Sequence, residues 1–468
     1  MRASFFPYLL ALSLGAAVCS ADTIKLKNGR TIVCDSARET GNHVEYNIGD
    51  NTYAIPKSSV ESIAAGGGPL PSDSAPELPA PPAMETSSER LPDLTNQVVK
   101  NGAVVPDALV TLSNQGDNRI AAAAYYAAGR FEHLRGNTIR ATEYMKEAVG
   151  YDGQSPLILE HYATLLMATG RPADALTYAE QAVQIAPKSA DALTVLGYAL
   201  YRNDHNKAAI DAWKKALTLR PSAQVEAMVE RAEREVAAEE GYSEQESSHF
   251  TLRYEGTKAP AELRRAILDT LEQHYMFLQE QFGEAPRQSV VVVLYPEQTY
   301  FDVTQAPSWS AAVNDGKLRI PLRGLDRVTG ELSRVLRHEL AHSFINSISR
   351  GRCPLWLHEG IAQLMEGRTL RNGLALSRSF STGHYIPLNG LEGSFLNFSD
   401  QEAVLAYAEA LAFVEYIHGT YGMSDLVRIL QRIADGASTE AALRATVHAG
   451  YSEMETELTG YLKQRFGE

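Results

Sequence analysis

The sequence predicts a multidomain protein: a small all-β N-terminal module, an all-α repeat array and a C-terminal α+β domain. Three observations lead there. Apolar and polar residues alternate in short runs over residues 22–64, the period of a strand. Small residues and prolines recur every 34 positions in the middle of the chain. After residue 248, strand-like runs come first and helical ones follow, the order of an α+β domain. The 468 residues also exceed what one core ordinarily holds.

The chain opens "MRASFFPYLLALSLGAAVCSAD". Arg2 supplies a positive start, Phe5 to Val18 an apolar run too short to span a bilayer, and Ser20 and Ala21 small cleavage positions. Residues 1–21 therefore read as a signal peptide. Val18 suits a lipidated Cys19 poorly, so a lipid anchor is disfavoured. The mature chain is expected to be secreted or periplasmic, with no membrane span. Cys34 and Cys353 remain, in different domains; two unpaired thiols are expected, with a disulfide as the alternative in an oxidising compartment.

In residues 22–64, Ile24 and Leu26, Ile32 and Cys34, Val44 and Tyr46, and Tyr53 and Ile55 mark strands, and Asn28-Gly29 marks a hairpin turn. The expectation is an antiparallel module, with a barrel as one possible form. Residues 65–117, which include "GGGPLPSDSAPELPAPPAMETSSERLPD", form a Pro/Gly/Ser-rich linker and lead-in. Such a stretch buries too little apolar surface to offset its ordering entropy.

Over residues 118–240, Ala141, Ala175 and Ala209 share one column, and Ala148, Ala182 and Ala216 another. Gly129, Ala163 and Gly197 form a third, and Pro187 and Pro221 end two units. Small residues at these places let paired helices approach closely. The pattern resembles the tetratricopeptide repeat, three times over, followed by an amphipathic helix, "AQVEAMVERAEREVAAEE", that caps the stack. The resemblance implies a protein partner on the repeats; a rigid spacer is the plainer alternative. The formal charge of −14 and the lack of a basic stripe argue against a nucleic-acid partner.

In residues 248–468, "HFTLRYEG", "SVVVVLYP" and "KLRIPL" read as strands, and "PAELRRAILDTLEQHYMFLQEQFG" as a helix ending at Gly283. The chemistry lies in "RHELAHSF". Leu332, Val335, Leu336, Leu340, Phe344 and Ile345 make this stretch helical, so His338 and His342 leave it one turn apart on one side. Two imidazoles so spaced reach one zinc ion at roughly 2.0–2.1 Å, and Glu339 between them suits a general base. Two satisfied core histidines are the bland alternative. A catalytic zinc needs a third ligand. Ile345 and Ile348 stand where a metzincin places glycine and histidine, so that solution fails. In "PLWLHEGIAQLMEG" Glu359 and His358 are the candidates, with Cys353 just before it. On a helix His358 points about 100° away from Glu359, and Cys353 sits in the loop beside Pro354.

"HELAH" followed by "WLHEGIAQ" resembles the gluzincin metallopeptidases, and residues 248–468 are similar to the peptidase MA-like domains joined to tetratricopeptide repeats in exported bacterial proteins. The resemblance implies an α+β gluzincin-type domain that binds one Zn2+ through His338, His342 and Glu359, with Glu339 as base. It also implies an oxyanion-steadying tyrosine, for which Tyr407 in "EAVLAYAEALAFVEYIHGTYG" matches best. Packing with Phe413 and Tyr416 is the alternative for that ring. "SAAVNDGKLRIPL" would form the edge strand over the cleft, where an extended peptide pairs. The aminopeptidase Gly-x-Met-Glu-Asn motif is replaced by Ala312-Val313-Asn314-Asp315, which favours an endopeptidase. The expected function is thus an exported zinc metallopeptidase acting on protein or peptide. Its rivals are an inert repeat scaffold with a peptidase-like fold and a metal-dependent hydrolase of another bond.

Overall fold

The computed structural model describes residues 21–27, 31–34, 36–48, 51–68, 91–135, 137–304, 312–322, 324–370, 373–393, 395, 398 and 400–467. The leader up to Ser20, the Asn28-Gly29 turn and residues 69–90 of the linker lie outside the described residues, as does the Cys34 side chain.

The N-terminal module holds β1 (Ala21–Leu26), β2 (Thr31–Cys34), β3 (Ser36–Thr40), β4 (His43–Ile48), β5 (Asn51–Pro56) and β6 (Val60–Gly68). They form two antiparallel three-stranded sheets, β2-β1-β6 and β3-β4-β5, over a core of Ile24 and Val44. The lead-in contains α1 (Thr95–Val98), β7 (Val99–Lys100), β8 (Ala103–Val104) and α2 (Pro106–Ser113). Leu94, Val98, Leu109 and Leu112 bury themselves against Ala123, Ala124, Ala127 and Ala128 of the first repeat, closing that end of the array.

Three helical hairpins follow: α3 (Asn118–Leu134) with α4 (Thr138–Tyr151), α5 (Pro156–Ala168) with α6 (Pro172–Ile185), and α7 (Ala190–Arg202) with α8 (Asn206–Leu219). Asp117, Ser155 and Ser189 cap the first helix of each pair. The small-residue column has a direct cause. A Cβ on Gly129 would sit 3.2 Å from the Ala141 carbonyl, and one on Gly197 would sit 2.3 Å from the Trp213 ring. The capping helix, α9 (Ala223–Ala238), completes the array.

In the C-terminal domain, β9 (Ser243–Glu246), β10 (Phe250–Tyr254), α10 (Ala261–Phe282), β11 (Val290–Tyr295), α11 (Glu297–Thr304), β12 (Val313–Asn314) and β13 (Leu318–Pro321) come first. The five strands form one sheet in the order β12-β13-β11-β10-β9. Strands β10, β11 and β13 run parallel, while both edges, β9 and β12, are antiparallel to their neighbours. Helices follow: α12 (Gly330–Ser349), α13 (Leu355–Met365), α14 (Gly373–Ser381), α15 (Asp400–Tyr421), α16 (Met423–Ala434), α17 (Thr439–Val447) and α18 (Tyr451–Phe466). No described helix is long and apolar enough to cross a membrane.

Candidate metal centre

Helix α12 begins at a Thr329 cap, whose hydroxyl accepts from the Leu332 amide at 3.1 Å. It ends with Arg350 and Gly351, both left-handed, at φ 54° and 71°. This short reversal, followed by Pro354 at the N-cap of α13, turns the chain back so that α13 packs on α12. The predicted connection from His342 to Glu359 is thereby closed within residues 350–354.

His338, His342 and Glu359 converge, each buried, with one ligand atom from each lying within 4.8 Å of the others. His338 Nε2 lies 3.6 Å from Glu359 Oε2, and His342 Nε2 lies 3.7 Å from Glu359 Oε1. Both are too long for hydrogen bonds. They fit two ligand atoms on one tetrahedral ion, whose edge is about 3.3 Å for bonds of about 2.0 Å. His338 Nε2 is also a buried polar atom with no hydrogen-bond partner. The donor set, two imidazoles and a carboxylate, is one that could hold a metal ion, and it is among the three-ligand sets that zinc takes.

Charge points the same way. Glu339, Glu359 and Glu366 are all buried within this cluster. Burial, reinforced by Glu359 and Glu366 and opposed by His338, pushes the Glu339 carboxyl up to about 8. Burial disfavours the His338 imidazolium, yet Glu359 and Glu366 outweigh it and hold the group at about 10. His338 is the cationic neighbour that lowers the Glu339 carboxyl, while Arg368 pairs with Glu366. Burial, with His358 and His338 nearby, drives His342 well below its ordinary value, leaving the neutral imidazole that a metal requires.

The sequence reading missed two supports. Glu366, at the C-cap of α13, lies with Oε2 2.9 Å from His338 Nδ1 and Oε1 2.6 Å from Arg368 Nε. It orients the ring so that Nε2 faces the site. Its signal was its place seven residues after Glu359, on the same helix face two turns later. Asn314 of β12 donates to the Glu339 carbonyl and to the Ser343 hydroxyl, each at 2.7 Å, tying the edge strand to the metal helix.

The rival ligands fall elsewhere. His358 stacks on His342, with ring centroids 4.5 Å apart, and its Nε2 lies 3.2 Å from Asn346 Oδ1. Cys353 is a free thiol outside the converging group. Tyr407 is on α15, which packs on the Glu359 helix; its ring meets Phe395 edge-on at 5.2 Å, and its carbonyl accepts from Gln363 Nε2 at 3.1 Å. The two helices touch at Gly360, where a Cβ would lie 2.4 Å from the Ala410 carbonyl oxygen. The glycine after Glu359 is therefore needed for close approach.

Residues 270–464 match the family model of the Peptidase MA superfamily, and residues 156–199 match that of the tetratricopeptide repeat. The chain carries a Peptidase MA superfamily domain preceded by tetratricopeptide repeats. No curated protein matches it. Among solved structures it is similar to the Arabidopsis OM64 TPR domain, at 19% identity over 25% of this chain and 96% of that one, with a TM-score of 0.24. The Sgt2 TPR domain from Aspergillus fumigatus matches at 19% identity, over 32% and 92% of the two chains, TM-score 0.25. A Thermobaculum terrenum O-GlcNAc transferase mutant matches at 11% identity, over 78% and 99%, TM-score 0.22. The metal-site geometry of the Peptidase MA domain stands independently of these likenesses.

Proposed function

We propose that this chain is a zinc metallopeptidase of the gluzincin type, exported through its N-terminal leader, with repeats that engage a protein substrate or partner. The observation that carries the reading is the convergence of the buried side chains of His338, His342 and Glu359. Zinc bound there would polarise the scissile carbonyl and lower the pKa of a coordinated water. Glu366 and the stacked His358 hold the two imidazoles in their ligating orientations. Glu339 takes the proton from the attacking water and returns it to the nitrogen of the leaving amine, so that the peptide bond breaks to a carboxylate and an amine. The Tyr407 hydroxyl is the proposed donor to the oxyanion. The edge strand β12 offers backbone groups to an extended substrate.

The deciding experiment is Glu339→Gln. The variant is expected to keep one zinc per chain and to lose roughly 10²–10⁴-fold in kcat on an unfolded protein substrate. Cleavage at the parent's rate would remove Glu339 from the mechanism. A parent that binds zinc and cleaves no member of a broad peptide library would turn the reading toward the inert scaffold.

A further inference from the structure

The three turns that close the repeat hairpins all meet the C-terminal domain. Ile139, in the first turn of α4, lies 3.8 Å from where a Cβ on Gly436 would stand. A Cβ on Gly170, between α5 and α6, would lie 3.7 Å from the Arg350 backbone at the end of the metal helix. Asp204, between α7 and α8, pairs with Arg253 at 2.5 Å and with Lys317. The array therefore lies along the domain with its turn edge docked.

At the third turn the contact becomes a buried ionic seam. Arg231 of α9 reaches Asp315 at 2.6 Å and donates to the Tyr201 hydroxyl at 3.1 Å. Glu235 of α9 accepts from Arg319 at 3.1 Å and from Asn206 at 3.2 Å, and also from Tyr201. Arg319 grips Asp315 at 3.0 Å and donates to the Tyr295 hydroxyl at 2.8 Å, which in turn donates to Glu239 at 2.6 Å. Arg319 is 2% exposed and Glu235 1%. Arg231 and Glu235 both reach the hairpin formed by β12 and β13, at Asp315 and Arg319, and the residue before Asp315 is Asn314, which holds the Glu339 carbonyl.

We propose that the repeat array is part of the catalytic unit. Through this seam its third repeat and capping helix fix the β12–β13 hairpin and, by way of Asn314, position the backbone that carries the general base. Arg231 and Glu235 are positioning residues, acting through Asp315 and Arg319 from across the junction. The catalytic part of this inference rests on the function proposed above; the grip on the hairpin does not. Salt should leave the seam intact, because its ion pairs are shielded from solvent.

The test is Arg231→Met in the full chain, which keeps the stem and removes the charge. Amide hydrogen exchange over residues 312–318 is expected to accelerate at least tenfold, with zinc content unchanged. The rate constant kcat should fall about tenfold with little change in KM. Arg231→Lys, which still reaches Asp315, should recover most of both. If Arg231→Met fails to fold, Asn314→Ala severs only the last link, and should speed exchange over residues 339–345 and lower kcat alike. Parental exchange at the hairpin overturns the proposal. Faster exchange with parental kcat reduces the seam to a structural joint and overturns the positioning role. Faster exchange in a chain whose parent cleaves nothing supports the grip on the hairpin and sinks the peptidase reading instead.

Discussion

The metal centre and the ionic seam both bury several charged groups, and they differ in one respect. In the seam each acid has a base close by. Asp204 lies 2.5 Å from Arg253, Glu235 3.1 Å from Arg319, Glu239 3.4 Å from Arg253, and Asp315 2.6 Å from Arg231. Asp204, Glu235, Glu239 and Asp315 are matched by Arg231, Arg253, Lys317 and Arg319. Asp315 shows the outcome: burial raises its carboxyl, but Arg319 and Arg231 win and hold it below the usual range. At the metal centre Glu339, Glu359 and Glu366 face Arg368 and a pair of imidazoles, and the Glu339 carboxyl is pushed up to about 8. A buried charge is tolerated when paired and costly when not. The seam is complete with the protein's own groups, whereas the buried His338, His342 and Glu359 of the centre form a group that could hold a metal ion.

The largest expected effect breaks that contrast at the metal. Zinc present at a hundredfold over its Kd adds about 2.7 kcal/mol of stability. That corresponds to a rise of roughly 5–10 °C in Tm for a domain of this size. Treatment with a chelator should remove that rise in the parent and in Arg231→Met, whose centre is intact. Glu359→Ala should show no response to zinc or chelator. A chelator response that survives in Glu359→Ala would place the ion elsewhere.

A smaller effect comes from Glu366. Glu366→Gln keeps a hydrogen-bond acceptor near His338 Nδ1 but removes the charge that favours the ligating ring. Zinc affinity should fall roughly 10–100-fold, read by competition with a chromophoric chelator. Unchanged affinity would mean that the 2.9 Å contact between His338 and Glu366 orients nothing.

How much of this could be read in the sequence follows from the range of each interaction. The residues that converge, His338, His342 and Glu359, were legible because helix periodicity fixes the first two and a local motif resemblance supplies the third. The tetratricopeptide columns were legible for a similar reason: Gly129 and Gly197 are small because a neighbour one helix away leaves no room. The strands β10, β11 and β13 were legible from their apolar runs. Asn314, Arg231 and Arg319 were not, since the partners that carry them across the fold, Glu339, Asp315 and Glu235, are distant in sequence and nothing local marks a polar residue as buried. Arg319 sits within "KLRIPL", where alternation suggests an exposed position, yet it is among the most buried side chains in the molecule. Two of the ionic partners that make this possible, Glu235 and Glu239, come from a separate domain.

Glu409 sharpens the comparison with a third case, a buried carboxyl for which no base partner is found among the described residues. It is fully buried on α15, both oxygens lie 3.2 Å from the Ile386 amide, and Glu455 is a neighbouring acid. Burial, with help from Glu455 and against the Ile386 hydrogen bond, pushes it up to about 8 from an ordinary 4.5. The folded state therefore holds a proton that the unfolded chain has released, so this group's contribution to stability is fully present below about pH 4.5. It declines as pH rises and is lost by passage through about pH 8. Glu409→Gln keeps an acceptor for Ile386 and cannot ionise. Its Tm relative to the parent should rise between pH 6 and pH 8.5, by an amount equivalent to about 1–3 kcal/mol. Titrating groups remote from Glu409 cancel in that difference, and Glu455 is the neighbour whose own titration shifts with it. A Tm gap that stays constant over the interval would show that Glu409 is ionised in the fold, and that a buried acid can here be tolerated without a base, a metal or a proton.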